Sequence, residues 1–112
     1  MQKAYLHNIR AGLDAGYRLC IIDGEEGCVL AKTYSYREAK EAVECMDMTC
    51  IKWQRETTEE ERAEGAKPFK PVAWFMVWRE WNGDPAETIS DHSDNAIANK
   101  WWDDYTNPML YK

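Results

Sequence analysis

The chain has 112 residues, of which 45% are hydrophobic and 30% charged, so it is long enough for one cored domain and too apolar for a disordered segment. Its net charge of −6 argues against a direct binder of nucleic acid or of an anionic membrane, and favours a partner with a basic surface. No apolar run reaches the roughly 20 residues that span a bilayer, and the first residues lack the apolar stretch of a signal peptide. We therefore expect one domain, residues 1–112, in the cytoplasm.

The first half of the chain predicts a helix, a hairpin and a second helix. Apolar residues recur at helical spacing over residues 3–15. Residues 17–33 read as two strands around an acidic connection, 23–27, whose two glycines are typical of a hairpin turn. Ser35 followed by Glu38 has the pattern of a capping box, which predicts the start of the second helix.

The second half predicts two more strands and a last helix. Residues 49–55 alternate in polarity, which indicates a strand with one wet face. The polar run 56–68 predicts one or two helical turns capped by Thr58, or a mobile connection. A longer strand follows over residues 71–81, and a polar segment up to Asp94 then leads into a helix.

The strand over residues 71–81 is the centre of the predicted fold. From Val72 to Val77 both of its faces are apolar, so we expect it to lie centrally in its sheet or to be covered on both sides. The order of elements is α-β-β-α-β-β-α, without alternating βαβ units. We expect the α+β class: a four-stranded, mainly antiparallel sheet with helices packed on it.

Metal binding and catalysis have few candidate residues in this sequence. Cys20, Cys28, Cys45 and Cys50 form no Cys-x-x-Cys pair, so we expect buried thiols, although Cys20 and Cys28 flank a tight connection and a disulfide between them is geometrically conceivable. Residues 91–94 (Asp-His-Ser-Asp) are either a metal half-site or a polar lead-in that caps the last helix. We expect no catalytic residue, no metal and no cofactor.

Two patterns instead point to a binding surface. Two tryptophans are consecutive in the last predicted helix, which cannot bury both on one face, and exposed indoles are typical of contact surfaces. Acidic residues concentrate in two blocks, and such a surface suits a basic groove where the carboxylates replace phosphates. The predicted contact residues are Glu59, Glu60, Glu61, Trp81, Asp84, Asp91, Asp94, Trp101, Trp102, Asp103 and Asp104.

Three short segments also resemble small proteins encoded by bacteriophages and prophages. They are residues 16–19 (Gly-Tyr-Arg-Leu), 22–26 (Ile-Asp-Gly-Glu-Glu) and 89–95 (Ile-Ser-Asp-His-Ser-Asp-Asn), with His92 at a position that is aromatic in those proteins. The resemblance implies a viral protein in the cytoplasm of a bacterial host, where small acidic proteins often inhibit CRISPR effectors or restriction systems.

The leading hypothesis is accordingly a non-enzymatic, anti-CRISPR or anti-restriction inhibitor that binds a host nucleic-acid-processing complex. Two alternatives remain open at this stage. One is a homodimeric structural or regulatory module whose exposed aromatic residues form its own interface. The other is a small metal-dependent enzyme centred on Asp91 and His92.

Overall fold

The computed structural model describes residues 4–79, 85–91 and 96–106, and in it helices pack on one face of an antiparallel sheet. The elements are α1 (Ala4–Asp14), β1 (Arg18–Asp23), β2 (Val29–Thr33), α2 (Tyr36–Glu44), β3 (Met48–Glu56), α3 (Glu59–Ala63), β4 (Phe69–Arg79), β5 (Pro85–Asp91) and α4 (Ala96–Thr106). None of the described helices is long and apolar enough to cross a membrane.

The sheet confirms the predicted α+β class and adds one strand to it. Within the described residues the strand order is β2-β1-β3-β4-β5, and every neighbouring pair is antiparallel. The predicted order of helices and strands is found, with α3 and β5 as further elements. We had expected residues 85–91 to be a polar connection, but they pair with β4, where Ile89 lies opposite Val77. This pairing forms hydrogen bonds with the backbone groups that β4 would otherwise expose at an edge. It occurs although the residues of the added strand do not have a strong β propensity.

The core lies between the sheet and a layer formed by α1, α2 and α4. Helix α1 contacts both of the other two, so the three helices cover the same side. Trp53 is fully buried at the centre of this core, with its ring 5.8 Å from that of Tyr17 and 5.1 Å from that of Phe75. The larger buried residues of the cluster are Tyr5, Ile9, Leu19, Ile21, Val43, Ile51, Trp53, Phe75, Val77 and Trp101.

Helix α1 is terminated by a turn at Gly16. Gly16 has a φ of 88°, a left-handed conformation that other residues adopt at a cost. Its N–H donates to the Leu13 carbonyl at 2.9 Å, and the Tyr17 N–H donates to the Gly12 carbonyl at 3.0 Å, which is the Schellman pattern of helix termination. This turn brings β1 directly under α1.

Strand β4 has β3 on one side and β5 on the other, so its predicted central position is confirmed. Its two faces differ in burial. Ala73, Phe75 and Val77 are buried under the helices, whereas Trp74 and Met76 are half-buried on the opposite face. That opposite side, which we call the open face, has no helical layer in the part of the chain that the structure describes.

Candidate binding surfaces

Helix α3 is a short acidic helix that its own side chains hold in place. The Thr58 hydroxyl accepts a hydrogen bond from the Glu61 N–H at 3.2 Å, and the Glu61 carboxylate accepts one from the Thr58 N–H at 3.1 Å. This reciprocal pair is a capping box, and it confirms the helical turns predicted after Thr58. At the start of α2, Ser35 accepts from the Glu38 N–H at 3.3 Å, which is half of the pattern predicted there.

Glu61 also joins α3 to the sheet. Both of its carboxylate oxygens accept hydrogen bonds from the Arg55 guanidinium, at 2.8 and 3.0 Å. These bonds, followed by the bond from the Thr58 N–H, lower the pKa of Glu61 from its ordinary value to about 2. Arg62 fastens the helix further by donating to the Thr57 carbonyl at 2.9 Å. Although solvent-exposed ion pairs contribute little to stability, this two-pronged geometry fixes the direction in which α3 points.

The remaining glutamates of this segment face solvent. Glu59, Glu60 and Glu64 are exposed, and none of them takes part in a side-chain hydrogen bond or salt bridge within the described residues. We call these three residues the acidic edge. Three predicted contact residues belong to this segment. Glu59 and Glu60 are available to a partner, whereas Glu61 is bound by Arg55.

The structure places the other predicted contact residues in three groups. Trp101 is a core residue, only 7% exposed, with its ring edge-on to Phe75 at 5.3 Å, so little of the indole remains for a partner. Asp91 ends β5, and Trp102, Asp103 and Asp104 belong to α4. Trp81, Asp84 and Asp94 lie outside the described residues.

A second surface, which the sequence analysis did not predict, lies on the open face. Across β1, Cys20 has Lys32 of β2 on one side and Lys52 of β3 on the other, and Trp74 of β4 follows next to Lys52. Cys20, Lys32 and Lys52 of this row line an open cavity of ≈ 480 Å³. It is lined by Arg18, Cys20, Ile22, Val29, Lys32, Lys52, Gln54, Lys67, Pro68 and Phe69.

The charge of this cavity is uniform, with four basic residues and no acidic one among those that line it. The sequence does not reveal these four basic residues as a group, because they come from three strands and a loop. Only the strand register brings them together. The alternation that places Lys52 on the wet face of β3 is visible in the sequence, but its neighbours across the sheet are not.

The described residues contain no group of three His, Cys, Asp or Glu side chains placed to hold a metal ion, and His92 lies outside them. All four cysteines are free, so the conceivable disulfide between Cys20 and Cys28 is not formed. Cys20 is buried, but Cys28 and Cys45 are exposed, so the expectation of buried thiols is wrong for these two residues. Burial raises the pKa of the Cys50 thiol, which disfavours the nucleophilic thiolate.

Comparisons with protein-family models, with curated proteins and with solved structures gave no match. The two surfaces are therefore interpreted from their own residues: an acidic edge on α3 and a basic cavity on the open face.

Proposed function

We propose that this protein is a non-catalytic inhibitor of the anti-CRISPR or anti-restriction type, which binds a host nucleic-acid-processing complex through the acidic edge of α3. The observation that carries the proposal is the rigid placement of exposed carboxylates. Enzymes that hold DNA or RNA offer channels rich in Lys and Arg, and a fixed group of carboxylates complements such a channel as phosphates would.

The anchoring of α3 supports this role through the entropy of binding. A flexible acidic loop would lose conformational freedom when it docked, and that loss would weaken the complex. Here the capping box and the Arg55–Glu61 pair have already ordered the segment in the free protein. The net charge of −6 also favours fast association with a basic surface.

The test begins with capture of partners from a bacterial lysate on the immobilised protein, with elution in steps of rising salt. The captured complex is then assayed for nuclease or DNA-binding activity with and without added protein. The decisive variant is Glu59→Gln with Glu60→Gln. Its matched control is Glu25→Gln with Glu26→Gln in the exposed turn between β1 and β2, which removes the same charge from another adjacent pair.

The proposal expects the α3 variant to lose the captured complex at lower salt than the wild type, and the turn variant to behave as the wild type does. Retention that salt and the α3 substitutions leave unchanged would contradict the electrostatic contact. A captured complex whose activity is unaffected by the protein would contradict inhibition.

A further inference from the structure

The basic cavity of the open face stands out because its cations have no acidic partner among the described residues, whereas three cations elsewhere in the described chain do. Arg37 bonds to Glu41 and Lys40 to Glu44 along α2, and Arg55 bonds to Glu61. In contrast, Arg18, Lys32, Lys52 and Lys67 form no salt bridge with any residue that the structure describes. An acidic protein thus gathers four unpaired cations around one cavity.

The guanidinium of Arg18 has a fixed orientation at the edge of this cavity. Its guanidinium stacks on the Phe69 ring, 3.4 Å from the ring centre, and its Nε donates to the Gln54 side chain at 3.0 Å. This arrangement fixes the plane of the guanidinium while its two terminal NH₂ groups make no hydrogen bond to a described residue. A fixed planar fork with free donors is suited to the oxygens of an anion.

The two strand lysines lie on either side of a buried thiol. Lys32 and Lys52 are both Cα partners of Cys20, so their backbones are two strand spacings, about 10 Å, apart. Cys20 is only 3% exposed although it points to the open face, which indicates that neighbouring side chains cover it. Charges above an apolar floor act through a lower dielectric than charges in bulk water, and their attraction for an anion is stronger.

Lys67 completes the cavity from the loop that follows α3. The Thr57 hydroxyl donates to the carbonyls of Lys67 and Pro68, at 2.7 and 3.0 Å, and the Thr57 N–H donates to the Pro68 carbonyl at 2.9 Å. Thr57 is itself buried, so the loop backbone is fixed where it forms the cavity wall. The side chain of Lys67 therefore starts from a fixed position beside Phe69.

We propose that this basic cavity binds the phosphates of a nucleotide or of single-stranded nucleic acid. Several cations spread over about 10 Å match a chain of phosphates better than one carboxylate, since each lysine acts as a point charge and the arginine as a fork. The volume of ≈ 480 Å³ lies within the range of small-ligand sites.

This inference uses none of the acidic-edge residues and is independent of the proposed inhibitor function. It also revises the expectation that the net charge excludes nucleic acid. Net charge is an average over the whole surface, whereas an anion at the open face is attracted by the nearest cations, and more distant charges are screened within about 10 Å at moderate salt.

The test measures the affinity of the purified protein for three probes at low salt: inorganic tripolyphosphate, adenosine triphosphate and a fluorescent single-stranded oligodeoxythymidine. Isothermal titration follows the first two, and fluorescence anisotropy follows the third. The decisive variant is Lys32→Gln with Lys52→Gln, and the same pair changed to Arg keeps the charge. Lys40→Gln, on the exposed side of α2, is the control for the loss of a lysine elsewhere.

We expect the Gln pair to weaken binding by about tenfold or more and to lower the slope of log K against log salt by about one for each lysine. The Arg pair and Lys40→Gln should bind as the wild type does. Tighter binding of the oligonucleotide than of adenosine triphosphate identifies a nucleic-acid backbone as the ligand, and the reverse identifies a nucleotide; both support the phosphate site.

Three results would overturn the proposal. The first is no binding of any probe at low salt. The second is an equal loss of affinity in Lys40→Gln, which would show a diffuse effect of net charge. The third is equally tight binding of a polyglutamate peptide of matched charge, which would show that the cavity accepts any polyanion and does not select phosphate.

Discussion

The two faces of the sheet differ in burial, and β3 shows the difference within one strand. Thr49, Ile51 and Trp53 point to the helices and are buried, while Lys52 and Gln54, which alternate with them, are only half-buried on the open face. The covered face packs apolar side chains against three helices, and the open face exposes cations above small apolar residues. Because strand residues alternate in direction, substitutions one position apart in β3 should affect different properties.

The two proposed surfaces share one structural connection. The acidic edge and the basic cavity carry opposite charge, yet both depend on the connection between β3 and β4. Thr57 bonds to the loop that carries Lys67, while the next residue, Thr58, caps α3. A partner that displaced α3 would therefore also move one wall of the cavity.

The largest expected effect is that of Trp53→Ala on the covered face. The side chain is fully buried between two aromatic rings, and its Nε1 donates to the Asn8 side chain at 3.3 Å. Truncation removes these contacts and leaves a cavity, so we expect the free energy of unfolding to fall by about 3–5 kcal/mol. Urea denaturation followed by circular dichroism measures the loss.

The matched control for this substitution is Trp74→Ala, which truncates the same residue type on the open face of β4. Since Trp74 is half-buried, its loss should cost clearly less. Trp53→Phe keeps an aromatic ring and can be measured if the alanine variant does not fold. Its loss in free energy of unfolding should lie between those of Trp53→Ala and Trp74→Ala. Equal losses at both tryptophans would contradict the difference between the faces.

A smaller loss is expected for Gly12→Ala in α1. A Cβ at this position would lie 2.8 Å from the Nε1 of Trp53 and 2.9 Å from the Cδ2 of Leu19, both in fully buried side chains. Alanine favours a helix by about 1 kcal/mol over glycine, but overpacking of a tight core typically costs about 1–3 kcal/mol. We expect a net destabilisation in thermal unfolding, and a higher Tm than that of the wild type would show that the indole has room to move.

Gly12 also shows where the sequence was informative. A glycine inside the helix predicted over residues 3–15 is a weak helix former, which indicates close packing at that position, and the structure identifies Trp53 and Leu19 as the close neighbours. The helices and strands were predictable because their periodicity and caps are local properties of the chain. The fifth strand was not, because residues 85–91 are mostly polar and form a strand by pairing with β4.

The candidate sites were less predictable than the fold. The acidic edge was visible as a run of glutamates, but Glu61 could not be separated from Glu59 and Glu60 until the position of Arg55 was known. The basic cavity depends on the register that places Lys32 and Lys52 on either side of Cys20. The alternating pattern of each strand specifies which of its residues face the core, but which residues lie opposite each other also depends on the turns and on which strands are neighbours.

The ion pair that anchors α3 to the sheet should weaken in acid. The pKa of Glu61 is lowered to about 2 in the folded protein, so the ionised carboxylate is the form that the fold stabilises. Its contribution is present above the ordinary carboxyl pKa of about 4.3 and is lost as the pH falls towards 2. Glu61→Gln should be less stable than the wild type at neutral pH, and the difference should shrink below the ordinary carboxyl pKa and vanish only as the pH falls through about 2.

This effect should be small, because the pair lies at the protein surface. Urea midpoints measured at several pH values between neutral and strongly acidic conditions give the comparison. Glu64→Gln, which removes one charge from the same segment without touching Arg55, is the control at neutral pH. A difference between the Glu61 variant and the wild type that persists unchanged at the lowest pH would show that the carboxylate does not act through its charge.

The smallest expected change in stability is that of Lys32→Gln with Lys52→Gln, the pair proposed to weaken phosphate binding by about tenfold. Neither lysine forms a salt bridge within the described residues, and both sit among like charges around the cavity. Relief of that repulsion offsets the loss of the lysine methylenes near Cys20, so the free energy of unfolding should change by less than about 0.5 kcal/mol.

Urea denaturation at low and high salt measures this change, because salt screens the repulsion in the wild type and has less to screen in the variant. If the free energy of unfolding fell by nearly as much as in Trp53→Ala, these lysines would be structural residues of the sheet. That result would contradict a ligand-binding role for the open face.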